Sequence, residues 1–311
     1  MPTDSLPLRV LRQLLLDGPA GPGHFSAASG MWIADDTLYA VADDELVLGV
    51  FSLQDDRPGQ TLPLLAGALP AAAKARKAAK PDFESLTCLP ACARHPHGAL
   101  LALGSGSTRQ RQRGVLWPFT GPQELSGTPQ VFCLLPLYAP LAPHFADLNI
   151  EGAVVHGQVL KLWHRANKTH RTNAVIEYRL SDLHATLDGA AGARALQPQR
   201  IDPYDLGDVA GVPLAFTDAF ALDNGDCLFT AVAENTSDSY RDGECVAAVI
   251  GLIDRQRRLR WMRPVTPTFK LEGISAKVVG DQLRIRLVSD ADDRSAPAQL
   301  LETHVPCSVM D

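Results

Sequence analysis

The chain has 311 residues, 46% hydrophobic and 21% charged, with a formal net charge of −6. That balance gives enough apolar mass for a core and excludes a disordered chain. It also argues against nucleic-acid binding, which needs a basic face, and no apolar run approaches the roughly 18 residues of a membrane span. The opening MPTDSLPLRVLRQLLLDGPAGPG lacks the basic start and long apolar core of a secretion signal, so a cytoplasmic location is expected. Cys88, Cys92, Cys133, Cys227, Cys245 and Cys307 form no CxxC or Cys/His zinc spacing. They read as reduced, small buried hydrophobes.

Along the chain, LPLRVLRQLLL reads first as a lone strand. A pattern then occurs five times: SGMWIADDTLYAVADD from Ser29, ESLTCLPACARHPHGALLALGSGS from Glu84, EGAVVHGQVLKLWHRAN from Glu151, DAFALDNGDCLFTAVAEN from Asp218 and EGISAKVVGDQLRIRLVSD from Glu272. A small or acidic residue opens a short apolar strand in each. Asp35-Asp36, His97-Gly98, His156-Gly157, Asn224-Gly225 and Gly280-Asp281 follow, residues suited to hairpin turns. Second strands come next: TLYAVA, ALLALG, VLKLWH, CLFTAV and LRIRLV. After a polar loop the third strands are LVLGVFSL, GVLWPF, NAVIEYRL, CVAAVIGLI and AQLLETHV. A fourth strand closes the first four units, near QTLPLLAG, PQVFCLLPL, ALQPQRID and RLRWMRPV. Short helices are expected over 69–81 and 181–189.

The fifth unit ends after its third strand, and the lone N-terminal strand can supply the missing fourth. A repeat of this length made of four strands is a propeller blade. The expectation is therefore all-β: a five-bladed β-propeller over residues 1–311 as one domain, closed by the N-terminal strand so that no sheet edge is left open. Six blades is the alternative, if one of the longer units hides degenerate strands.

Innermost propeller strands line the central channel. Ser29, Glu84, Glu151, Asp218 (or its neighbour Thr217) and Glu272 therefore converge on one axis. Carboxylates crowded together raise each other's pKa, and a cation relieves the conflict. Oxygen-only donors favour Ca²⁺ over Zn²⁺, with Mg²⁺ or Mn²⁺ as alternatives. The competing expectation is that backbone N–H groups or arginines hold these carboxylates. Loops after the second strands should gather at one mouth: Asp43-Asp44, 104–114, 164–173, 234–244 and 289–295. Two of them are basic, with Arg109, Arg111, Arg113, His164, Arg165, Lys168, His170 and Arg171. A cation flanked by Arg and Lys suits a phosphate or another multivalent anion.

The segments SGMWIADDTLYAVADD, FESLTCL, NIEGAVV with WHRAN, FTDAFAL with AVAENTSD, and KLEGISA resemble the calcium-activated nucleotidase (apyrase) propellers over about residues 24 to 280. The chain also resembles uncharacterised bacterial phytase-like propellers. The first resemblance implies five blades and a Ca²⁺ on the axis held by one Ser or Glu per blade. Carried over, the ring is Ser29, Glu84, Glu151, Asp218 or Thr217, and Glu272, with Asp44 and Arg165 near the phosphates. One departure is Ser85, where that family has tryptophan after the second-blade glutamate. Another is compartment, since apyrases work where Ca²⁺ is plentiful.

The expected function is a Ca²⁺-containing hydrolase, a phosphoesterase acting on a small anionic substrate at the channel mouth. Asp44, Arg165 and Asp290 are the candidate catalytic residues, and Arg109, Arg113, Lys168 and His164 the substrate-binding ones. The alternative is a non-catalytic ligand- or protein-binding propeller with a structural cation. Glycosidase chemistry would call for aromatic sugar platforms, and aromatics are only 6% of the chain. No nucleic acid or membrane partner is expected, and nothing in the pattern speaks to oligomeric state.

Overall fold

The computed structural model describes residues 5–18, 22–121, 124–125, 127–167, 172–187, 195–235 and 243–310. Five antiparallel sheets follow one another in chain order. Blade 1 holds Ala28–Ala34, Thr37–Ala42, Val47–Ser52 and Gln60–Pro63. Blade 2 holds Phe83–Leu89, Ala99–Gly104, Arg113–Gly121 and Gln130–Cys133. Blade 3 holds Ile150–His156, Val159–His164, Asn173–Arg179 and Arg200–Tyr204. Blade 4 holds Val212–Ala221, Cys227–Asn235, Glu244–Ile253 and Leu259–Thr266. Blade 5 holds Lys270–Val279, Gln282–Asp290 and Gln299–Pro306, and its fourth strand is Arg9–Gln13. The first strands pack side by side around one axis, the fifth against the first. The protein is a five-bladed β-propeller.

Each blade is covered on both faces by its neighbours, so its middle strands carry apolar side chains on both faces rather than on one, most completely in blade 2. Ala99–Gly104 is buried at every position. The core divides accordingly into five clusters, one at each interface between adjacent blades. The longer spacings of units two and three hold helical insertions and one two-residue strand each, Glu124–Leu125 and Asp208–Val209, and no further blade. The helices are Leu135–Tyr138 with Ala139–Leu141 after blade 2, and Leu180–Leu187 within blade 3. The other expected helix is Ala73–Ala79, between blades 1 and 2. Among the described residues no helix is long and apolar enough to cross a membrane.

Closure involves three blades. Leu6–Pro7 runs parallel to the outer strand of blade 4. Arg9–Gln13 then pairs antiparallel with Gln299–Pro306 of blade 5. Beyond it, the Gly59 N–H of blade 1 donates to the Leu15 carbonyl at 2.8 Å, and the Asp17 N–H to the Gly59 carbonyl at 2.9 Å. Leu14 is fully buried between blades 5 and 1. Deleting residues 1–17 should expose edges on three sheets, giving aggregation on size-exclusion chromatography. Leu14→Ala alone should cost about 2–5 kcal/mol in denaturant melts. A truncated chain that elutes and melts like the full one would refute this account of closure.

Candidate functional site

Each inner strand carries one β-bulge near its start. The pairing with the second strand skips Ser29 in blade 1, Glu84 in blade 2, Glu151 in blade 3, Thr217 in blade 4 and Glu272 in blade 5. A bulged residue is released from the ladder and its side chain is re-aimed. Four of the five turn into a cavity of about 650 Å³ on the propeller axis: Ser29, Glu84, Glu151 and Glu272. Further along the same strands, Trp32 and Phe220 meet with ring centroids 6.0 Å apart, and apolar side chains fill the axis.

The fourth-blade position is Thr217, which corrects the assignment to Asp218. Asp218 pairs with Thr230 in the ladder, is 1% exposed, and does not line the cavity. Its Oδ2 accepts the Ile274 N–H of blade 5 at 3.0 Å, so it clasps two blades together. Burial pushes its pKa well up. Thr217 turns its hydroxyl to Thr230, 2.9 Å away.

Seven carboxylates line the cavity: Asp43, Asp82, Glu84, Glu151, Glu234, Glu272 and Asp290. Five cationic side chains face them: Lys77, Lys80, Arg111, Arg165 and Lys270. Fully ionised, seven against five leaves two negative charges in excess. Lys80 pairs with Asp43, and with Asp82 at 2.8 Å, while Arg111 pairs with Asp82 at 2.8 Å. Across the cavity, Arg165 reaches Glu234 at 2.7 Å, Glu151 at 3.2 Å and Glu272 at 4.0 Å. Lys270 reaches Asp292 at 2.5 Å, Glu234 at 3.1 Å, Glu272 at 3.4 Å and Asp290 at 3.6 Å. Carboxylate oxygens of Asp43, Asp82 and Glu84 lie within 4.8 Å of one another.

The pKa directions follow this layout. Burial, then Asp82 and Glu151, drive Glu84 well above the usual carboxylate range. Burial does the same to Glu272, with Lys270 and Arg165 opposing it only in part. At Glu234 burial also pushes upward, but Arg165 and Lys270 together hold it below its ordinary value. Asp290 is pushed up to about 7, chiefly by burial.

Of the sequence-predicted site residues, Arg165 and Asp290 line the cavity, and Asp44, His164, Arg109 and Arg113 do not. Asp44 is held at Oδ2 by Arg294 at 2.9 Å and by Arg76 at 3.2 Å. His164 is fully buried against Phe145, with ring centroids 4.1 Å apart, and its Nδ1 accepts the Asn149 N–H. Arg109 and Arg113 are exposed. Arg109–Arg111 is one turn of 3₁₀ helix, in which successive residues point about 120° apart, and Arg111 is the one directed inward. Lys168, His170 and Arg171 lie outside the described residues.

Lys270, Asp82 and Asn149 were missed as site residues. Each stands two positions before a bulged glutamate, and strand side chains two apart share a face. That spacing was the available signal. Glu234, next to last in the second strand of blade 4, opens the 234–244 segment expected at the channel mouth but was not singled out as a site residue.

The donors around Ser29, Glu84, Glu151 and Glu272 are all oxygen, and the Glu272 Oε2 is buried without a hydrogen-bond partner. Oxygen donors suit a hard divalent cation and not Zn²⁺, and among the described residues the carboxylates whose oxygens all lie within 4.8 Å of one another are Asp43, Asp82 and Glu84. Glu151 is the most committed member, since Asn149 Nδ2 donates to one oxygen at 2.5 Å and Arg165 to the other.

Residues 24–305 match the family of unknown function DUF6929, and the chain belongs to that family. No curated protein matches the sequence. In shape the chain is similar to glutaminyl cyclase from Myxococcus xanthus, at 9% identity over 97% of this chain and 100% of that one, with a TM-score of 0.47. It is also similar to a mutant α-L-arabinanase from Cellvibrio cellulosa, at 11% identity over 89% and 90% of the two chains, TM-score 0.48. A third is a luciferin-regenerating enzyme, at 10% identity over 90% and 92%, TM-score 0.44. These likenesses concern the course of the chain and not its chemistry.

Two predictions follow from the charges. Arg165 follows a second strand, yet it is buried among three carboxylates. Arg165→Ala should therefore cost about 3–5 kcal/mol in denaturant melts, because it leaves buried charges unpaired. A loss near zero would show that these carboxylates do not depend on it. For Asp290 the folded pKa lies above the unfolded value of about 3.9. Its contribution to stability is full below that value and is lost as pH rises toward 7. Asp290→Asn keeps the neutral shape and should flatten the fall of Tm between about pH 4 and 7; an unchanged profile would contradict the assignment.

Proposed function

We propose that the axial cavity holds one divalent cation, Ca²⁺ in the first instance, and hydrolyses a small phosphorylated molecule beside it. The observation that carries this reading is seven carboxylates facing five cationic side chains around one cavity, two negative charges in excess when all are ionised. Two protons or one divalent cation would neutralise the excess, and a cation would also give the unpartnered Glu272 oxygen a ligand bond. The resemblance to calcium-activated nucleotidase propellers supports Ca²⁺ over Mg²⁺ or Mn²⁺.

Glu84 would anchor the ion, its oxygens being within 4.8 Å of those of Asp43 and Asp82, with Ser29 and Glu272 facing the same cavity and Glu151 contributing as far as Arg165 allows. Bound there, a cation polarises a phosphoryl oxygen or acidifies a water. The chain supplies the rest. Lys77 and Arg111 line the same cavity and draw in an anion. Asp290, with a pKa near neutrality, can take a proton from attacking water and pass it on. Arg165 orients Glu151 and Glu234 and is a positioning residue.

Mass action gives the first test. Ca²⁺ at a hundred times its Kd should stabilise the fold by about 2.7 kcal/mol, and EDTA should reverse this. Because Glu84 and Glu272 are driven upward, binding near pH 7 should release protons, seen as a dependence of calorimetric heat on buffer ionisation. Glu272→Gln should weaken binding at least tenfold. Unchanged melting with both Ca²⁺ and EDTA would end the cation reading. Activity is tested on nucleotides, sugar phosphates and inositol phosphates with Ca²⁺, Mg²⁺ and Mn²⁺. If Ca²⁺ stabilises but no ester is cleaved, a binding propeller with a structural cation replaces the hydrolase. One observation favours that second reading: Lys80, Arg111, Arg165 and Lys270 are each already paired with carboxylates.

A further inference from the structure

The cavity wall is uneven in a way that bears on the substrate. Three equivalent positions per blade can be compared around its floor: the bulged residue, the residue two before it, and the one paired with that residue on the second strand. Blades 1, 2, 3 and 5 each place at least one ionisable side chain there, represented by Asp43, Glu84, Arg165 and Lys270. Blade 4 places Ala215, Thr217 and Val232, and the Thr217 hydroxyl is engaged by Thr230.

Blade 4 also begins its inner strand earlier. Val212–Ala221 starts five residues before the bulge, whereas Ala28–Ala34 and Ile150–His156 start one before theirs. At about 3.3 Å per residue the strand stands roughly 16 Å beyond the ring of bulges. There it folds back in a hairpin, Pro213 opposite Asp208 and Val212 opposite Val209, through Ala210 and Gly211 at positive φ. Gly211, Val212 and Pro213 line the cavity. Gly211, Val212, Pro213, Ala215 and Val232 thus make an apolar strip on blade 4, beside Glu234 of the same blade, whose carboxylate is taken up by Arg165 and Lys270. A charged or heavily hydrated group is desolvated there without compensation, whereas a carbon skeleton gains from the contact.

We propose that the blade 4 hairpin seats the uncharged aliphatic part of the substrate while its anionic head lies toward the cation, so that the substrate is a small aliphatic phosphate monoester. This rests on the proposed hydrolase function and adds to it which part of the ligand the protein selects.

The test is calorimetric titration of the Ca²⁺-loaded full chain with inorganic phosphate and with n-butyl phosphate. The wild type should bind the butyl ester about tenfold more tightly, the gain expected from burying roughly two methylenes. Val212→Asp should bring the ratio of the two affinities close to one, and Val212→Leu should preserve it. Equal affinities in the wild type, or a ratio unmoved by Val212→Asp, would overturn the inference and leave the cation and phosphate reading standing. If neither probe binds the Ca²⁺-loaded chain, the phosphate reading falls and this inference with it.

Discussion

Five sheets can close around one axis only if their inner strands approach at backbone distance, and the bulge is where this happens. After each bulge the next residue presses against a neighbouring blade. A Cβ on Gly30 would lie 3.0 Å from the Leu86 backbone nitrogen, and one on Gly152 would lie 3.1 Å from that of Ala219. The same step in the sequence that admits close packing also releases one side chain per blade into the channel. Structure and site therefore share one cause: the residue before the tight contact is the one that faces the axis. This gives the Glu-Gly pairs at 151–152 and 272–273, and the Ser-Gly pair at 29–30, a physical meaning.

The second consequence is electrostatic. Side chains released toward one axis share a small, poorly hydrated volume, where like charges cannot all stay ionised unaided. The protein answers in part from its own chain. Arg165 and Lys270 stand on the blades flanking blade 4 and both reach Glu234. The two alternatives weighed from the sequence, a cation or internal arginine pairing, thus coexist. Internal bases match most of the acid, and the residual imbalance falls on Glu84 and Glu272, the two glutamates driven well upward in pKa.

Much of the fold was legible because blade grammar is local. Hairpin turns, alternating second strands and a missing fourth strand can be read within about sixty residues, and they yielded five blades and N-terminal closure. The site was legible only to the depth of one residue per blade. The bulged positions could be aligned, but their partners two residues earlier, Asp82, Asn149 and Lys270, differ in type and so did not look like a repeat. Loop charges misled more. Arg109 and Arg113 flank Arg111 in a run of alternating arginines, yet a 3₁₀ turn points Arg109 and Arg111 apart and Arg113 already belongs to the next strand. Sequence shows that such a run is basic, not which member faces inward.

Asp218 shows why equivalence by residue type can fail by one position. Four units offer Ser or Glu at the bulge, and an aspartate beside a threonine invites alignment on the acid. The ladder places the bulge at Thr217, because Asp218 is needed where the other blades have Gly30, Ser85, Gly152 or Gly273, at the contact with the next blade. A carboxylate there can accept the Ile274 N–H that a glycine could not. Taking the acid for that contact removes it from the axis. Blade 4 is then left with Glu234 as its one ionisable side chain on the cavity among the described residues, and that carboxylate is held by Arg165 and Lys270. The clasp between blades 4 and 5 and the apolar flank of the cavity are thus two results of one substitution pattern.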